Sequence, residues 1–220
     1  MAIPVAEARE TIHEHGAYVW LDSAVGRDLN QFKEAGLPIL TPYGFEFLAQ
    51  HSLDDHELHT LATNALGQPY WAFNKCYSNV LPRDYTFSFH AGPTFRSLVF
   101  QLWSPCSTVV LRERSHLHPI KEEDIDMEIS QEWGLIAVHD SRLENLDMPK
   151  RKITLEQGGI IITDSRQRFT VIEGFVICVG HVSEETSRGM TKISLPHSRE
   201  FSKTIEQLEG RGYKINYEWE

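Results

Sequence analysis

Apolar and polar residues recur along this chain with two different periods, and the change falls near residue 68. Before it, helical spacing dominates. Residues 5–15 mix small apolar side chains with alternating charges and run into Gly16, which suits a helix C-terminus. Residues 28–35 read as a second short helix, stopped by Gly36 and Pro38. Ser52 reads as the N-cap of a third helix over 53–66. Asp54, Asp55 and Glu57 lie in its first turn, where the helix dipole favours negative charge, and Gly67 ends it. Residues 17–21 form a short β-type run, and 43–50 fit either period.

From Gln68 onward period two takes over. Residues 70–77, 84–90, 95–103, 108–114, 135–139, 159–164, 169–172 and 175–182 read as strands, punctuated by Ala91-Gly92-Pro93, Ser104-Pro105, Gln157-Gly158-Gly159 and Glu173-Gly174. Many short strands with regular turn signals predict a mainly β, α+β chain: one barrel or jelly roll around a pocket. Phe201, Ile205 and Leu208 recur at helical spacing within 198–209, which predicts a closing helix. There is no internal repeat and no low-complexity tract. The expected organisation is a single domain over 1–220, with a helix-rich part at 1–67, a barrel core at 68–196 and a C-terminal helix and tail at 197–220.

Period-two parity sorts side chains onto faces. Arg96, Leu98, Phe100 and Leu102 share one face; Phe95, Ser97, Val99, Gln101 and Trp103 share the other. Val110, Arg112, Arg114 and His116 share a face, as do Ile136, Val138, Asp140 and Arg142, and Ile160, Ile162, Asp164, Arg166 and Arg168. Each set is apolar at one end and charged at the other. In a barrel this puts an apolar floor beneath a mouth ringed with Arg, Asp and His; charges at strand ends also arise from plain solvent exposure.

Charge narrows the partners. Lys and Arg total 21 against 31 Asp and Glu, a formal charge of −10, which repels phosphate backbones and anionic lipid. Neither nucleic acid nor a membrane is an expected partner, and the basic run Pro149-Lys150-Arg151-Lys152 reads as a solvated turn. No apolar run approaches the ~18 residues of a membrane span, and the N-terminus lacks a signal peptide's pattern. Cys76, Cys106 and Cys178 are odd in number and widely spaced, with Cys178 inside the apolar run 174–179, so free thiols in a cytoplasmic protein are expected.

Nucleophile elbows and phosphate-binding glycine loops are absent. Eleven histidines invite a metal. His116-Leu117-His118 followed by Glu122 is an H-x-H-x3-E pattern that could hold iron, manganese or zinc, and it is similar to the first half of the cupin motif. It departs from that motif at Val110, where glycine is expected, and at Pro119, and no second half follows. The two-histidine, one-carboxylate triad of non-haem iron oxygenases needs H-x-D or H-x-E, and no histidine is followed at two residues by Asp or Glu.

Residues 89–103, then 111–116, then 157–166 together resemble the core of the phytanoyl-CoA dioxygenase-like proteins, a small fungal branch in particular, over roughly 85–185. The resemblance implies a double-stranded β-helix. It also marks departures. Arg114 replaces the glycine of a Gly-Ser-His corner, and the stretch Thr163-Asp164-Ser165-Arg166-Gln167-Arg168 lacks the family's distal metal histidine.

The resemblance, taken with the missing triad, implies a protein similar to the cofactor-independent cyclases, pericyclases and isomerases of fungal natural-product biosynthesis, acting on a small apolar molecule. Trp71, Phe73, Phe89, Phe100 and Trp103 are the expected walls, and His90, Arg96, His116, Asp140, Asp164 and Arg166 the expected polar groups. Two alternatives stand beside it: an Fe(II)- and 2-oxoglutarate-dependent oxygenase or cupin with atypical ligands, and a non-catalytic binding protein. An open sheet edge admits a homodimer.

Overall fold

The computed structural model describes residues 3–78, 83–87, 95–127, 135–138 and 148–220. Helix α1 (Val5–His15) ends at Gly16, whose φ of 87° lets its N–H reach the Ile12 carbonyl. Strand β1 (Ala17–Leu21) follows. Helix α2 (Ser23–Glu34) starts five residues before the expected position, because the Asp22 carboxylate accepts the Ala24 N–H and supplies a cap. The stretch that fits either period is helix α3 (Pro42–Gln50), capped by the Thr41 hydroxyl. Helix α4 (His56–Leu66) is capped by Asp55, not by Ser52, whose buried hydroxyl donates to the Leu48 carbonyl (2.6 Å) and so belongs to the end of α3.

The β part has strands β2 (Tyr70–Ser78), β3 (Asp84–Thr86), β4 (Ser97–Trp103), β5 (Ser107–Arg112), β6 (Ile125–Asp126), β7 (Ile136–Val138), β8 (Lys150–Leu155), β9 (Gly159–Asp164), β10 (Arg168–Glu173) and β11 (Phe175–Val182). The short helix α5 (Glu184–Ser187), β12 (Ile193–Leu195), α6 (Arg199–Gly210, capped by Ser198), β13 (Lys214–Ile215) and β14 (Tyr217–Trp219) complete it. One six-stranded sheet has the order β1-β9-β4-β11-β2-β13, the other β6-β7-β3-β10-β5-β8.

The basic run at 150–152 is not a turn. It opens β8, which pairs antiparallel with β5, and Lys150, Arg151 and Lys152 stay exposed while Ile153 and Leu155 are buried. Charged side chains on an outer strand discourage further strand addition there. Among the described residues, no helix is long and apolar enough to cross a membrane.

Alternation along the first sheet separates two cores. Leu98, Phe100, Leu102, Ile160, Ile162, Ile177 and Val179 face the helices and pack with Phe45, Leu58 and Phe201. Val99, Trp103, Ile161, Val176 and Cys178 face the second sheet and pack with Leu111, Phe169 and Tyr85. Gly180 on β11 admits the Phe73 ring between the sheets, since a Cβ there would stand 2.1 Å from Phe73 Cε1. Gly180→Ala should therefore lower the urea midpoint by the equivalent of about 1–3 kcal/mol. Phe73→Leu in the same chain should restore part of that loss; an unchanged midpoint in the single variant would mean that the ring has another place to go.

Candidate functional site at one mouth of the barrel

Strands β3, β5, β9 and β11 end, and β2, β4, β8 and β10 begin, at the same end of the barrel. The turn from β9 to β10 lies on this rim. Asp164 accepts the Arg166 backbone N–H and Nε at Oδ1 (both 2.9 Å) and Nη2 at Oδ2 (2.7 Å), with both side chains buried. The Ser165 carbonyl accepts from the Thr86 hydroxyl (2.8 Å) and the Phe87 N–H (2.9 Å), and the Ser97 and Ser165 hydroxyls bond to each other. These bonds stitch β3, β4 and β9 together at the mouth.

Beyond β5 the chain turns at Arg114, which sits at φ 65° in the left-handed region that glycine occupies without strain. Arginine thus takes a left-handed conformation at the corner where the resemblance expects glycine. His116 follows on a one-turn 3-10 helix, Ser115–Leu117, and its Nε2 lies 2.9 Å from the His13 carbonyl oxygen. Burial pushes the pKa of His116 down, against the pull of that carbonyl and of Asp164. Inside the mouth, Phe87 stacks on Phe73 (centroids 5.5 Å apart) and on Phe169 (5.4 Å), with Tyr77 beside it. Trp103 lies deeper in the barrel and donates through Nε1 to Gln101 Oε1 (3.2 Å).

The expected site residues separate accordingly. His116, Asp164 and Arg166 come together at the rim, and Phe73 and Trp103 line the interior. Trp71 and Phe100 do not. Trp71 stacks on Phe45 (4.8 Å) and Phe100 meets His181 (5.0 Å), both on the helix side of the sheet. Phe100 and Trp103 are three residues apart on one strand, and an odd spacing puts them on opposite faces. Arg166 stays in the turn while Arg168 opens β10 in the other sheet, so they do not share a face with Asp164 along one strand. Arg112 pairs with Asp84 (2.6 Å) on the outside of the second sheet. Arg96 is exposed and lines, with Phe95, Leu66 and Met190, a cleft of about 670 Å³. That cleft meets one of about 590 Å³ along α1 at Ala65 and Phe95. Phe89, His90 and Asp140 fall outside the described residues. Phe87 and Phe169 join this interior without being among the expected walls; their parity with Tyr85 and Val171 is the sequence signal for that face.

No family model and no curated protein sequence matches the chain. Solved structures do match. The non-heme alpha ketoglutarate dependent epimerase SnoN from nogalamycin biosynthesis aligns at 11% identity and TM-score 0.55, over 81% of this chain and 83% of that one. HygX from Streptomyces hygroscopicus with iron bound aligns at 10% identity and TM-score 0.53, over 81% and 86%. The fold is the double-stranded β-helix. HygX has also been solved with nickel and 2-oxoglutarate bound. AviO1 from Streptomyces viridochromogenes Tue57 aligns at 11% identity and TM-score 0.51, over 84% and 97%.

In this β-helix the described residues do not offer the donor set that such a metal needs. No three His, Cys, Asp or Glu side chains cluster among them. The H-x-H pair begins on a 3-10 turn rather than a strand, so alternation does not bring the rings of His116 and His118 to one side. His116 Nε2 is engaged by a carbonyl, and the side chain of Glu122 is outside the described residues.

Proposed function

We propose that this chain is an enzyme of fungal natural-product biosynthesis that folds a largely apolar small molecule in the β-helix mouth and promotes a cyclisation, pericyclic ([4+2]-type) or isomerisation step without a metal or organic cofactor. The observation that carries this reading is the stacked set Phe73, Phe87 and Phe169 inside the mouth, bordered by buried polar groups that are already paired. Aromatic walls that hold a flexible substrate near its reactive shape remove conformational freedom before the chemistry begins, worth several kcal/mol. His116 supplies one positioned imidazole at the rim, and Arg96 an exposed guanidinium at the cleft on the helix side of the first sheet. Asp164 and Arg166 satisfy each other and serve to position the rim. The absence of any H-x-D or H-x-E in the sequence supports a route without iron.

A second reading, an oxygenase using Fe(II) and 2-oxoglutarate through atypical ligands, is favoured by the shared fold with the iron-bound and 2-oxoglutarate-bound forms of HygX. Elemental analysis after purification under reducing conditions separates the two, together with a succinate assay in Fe(II) and 2-oxoglutarate. The first reading expects neither stoichiometric metal nor succinate, and product formation in a producing host that falls about 100-fold or more in His116→Ala. One equivalent of metal with succinate release would overturn it. A host whose product is unchanged by deletion of the gene would point to a binding protein instead.

A further inference from the structure

Strand β2 lies beside β11 from end to end, but on its other side β13 covers only Tyr70 and Trp71. The pairing of β2 with β11 shifts register past Trp71, and the Asn216 N–H donates to the Trp71 carbonyl (2.9 Å) where β13 leaves. From Phe73 to Ser78 the edge is open. Among the described residues, no other group takes its outward N–H and C=O groups. Along an antiparallel pair alternate residues bond to the neighbour and the rest face away, so every second residue of this run turns both groups to the open side.

The loop between α2 and α3 faces this edge. Its residues 37–41, with Asn74, Lys75 and Cys76 of β2, line a groove of about 490 Å³. Successive strand residues point to opposite faces of a sheet, so a groove that touches all three meets the strand edge-on. The loop is held by its own bonds rather than by bonds to β2. The Leu37 N–H donates to the Phe32 carbonyl (3.2 Å), the Ile39 N–H to the Leu37 carbonyl (2.7 Å) and the Thr41 hydroxyl to the Pro38 carbonyl (2.7 Å). Leu40 and, just beyond, Tyr43 are exposed. Burial pushes the Cys76 thiol up to about 11, with the nearby charge of Lys33 pulling the other way, so Cys76 is a wall and not a nucleophile. Lys33 and Lys75 are exposed, and neither makes an ion pair among the described residues. We propose that this groove receives an extended acidic segment of a partner protein, which adds to the edge of β2 as a further strand and sets its carboxylates against Lys75 and Lys33. Backbone bonds to the open edge hold such a segment, and the apolar loop and the two lysines select its side chains. A second copy of this chain has the wrong charge here, because two-fold pairing of β2 with itself about Lys75 sets like charges across the ladder.

NMR of the full chain titrated with the peptide acetyl-Val-Glu-Val-Glu-Val-amide tests this. Amide exchange should slow at alternate residues between Phe73 and Ser78, while the amides already bonded to β11 keep their rates. The fully N-methylated peptide has no N–H to donate and should bind at least about 10-fold more weakly, the loss of several backbone bonds. Replacing the glutamates by lysines should weaken binding as well. Lys75→Glu should weaken the glutamate peptide about 2–5-fold, the worth of an exposed ion pair, and strengthen the lysine peptide. Protection that does not alternate, equal binding of the methylated peptide, a preference of the wild type for the lysine peptide, or no saturable shift would each overturn the proposal. Alternating protection that appears without peptide as the protein concentration rises would give the groove to a second copy and overturn it too. None of these readouts needs turnover, so the test is independent of the proposed enzymatic function.

Discussion

Asp164→Leu alone should cost about 3–5 kcal/mol of unfolding free energy, and Asp164→Leu combined with Arg166→Met should recover most of it. The single change removes the carboxylate that takes the Nε, Nη2 and backbone N–H of Arg166 at a buried rim. The double change replaces an ion pair by apolar side chains of similar reach, which buried sites often tolerate. Urea unfolding of the wild type and the two variants measures this. A single-variant cost below about 1 kcal/mol would show that the pair does not hold the β9–β10 turn. A carboxylate whose two oxygens are occupied by one fork is poorly placed for proton transfer.

The second large effect is acid sensitivity through His181. This residue on β11 is completely buried against Phe100 and Trp71, and neither ring nitrogen has a partner within the protein. Burial pushes its pKa down to about 3, with His59 acting in the same direction. In the unfolded chain the imidazole protonates near its ordinary value of about 6.5. Between those two values the unfolded state binds the extra proton, so stability is fully present above about pH 6.5 and falls by about 1.4 kcal/mol per unit as the pH drops. From pH 6.5 to 4.5 the loss from this group is about 2 kcal/mol. His51, also held down by burial, adds a slope of the same sign. The comparison with His181→Phe isolates the contribution of His181: the variant should lose stability less steeply over this range. Parallel curves for the two proteins would mean that His181 does not titrate on unfolding.

Much of the architecture was legible because period two is a local property. Strands β9 and β11 fall at the expected positions, and the expected division of Leu98, Phe100 and Leu102 from Val99, Gln101 and Trp103 is the division between the two cores. Helix starts were read less well. Asp55 takes the place expected of Ser52 at the start of α4, and Asp22 starts α2 ahead of the expected position, because each carboxylate reaches an N–H two residues on while the Ser52 hydroxyl turns back to the Leu48 carbonyl. β8 escaped notice because its first three residues are basic, and only pairing with β5 makes them a strand.

The sequence by itself determined that the stretch from about 70 to 182 is mostly strand with two chemically different faces, and that no H-x-D or H-x-E exists to start an iron triad. It could not say which face is inside. That followed from the helices, which cover the face holding Phe100 and leave Trp103 to the barrel. Nor could it bring Gly16, His116 and Gln167 to one point, or leave His181 without a partner. Alternation is set by each residue's neighbours along its own strand, whereas these meetings join residues up to about 150 positions apart and depend on the order in which the strands lie side by side.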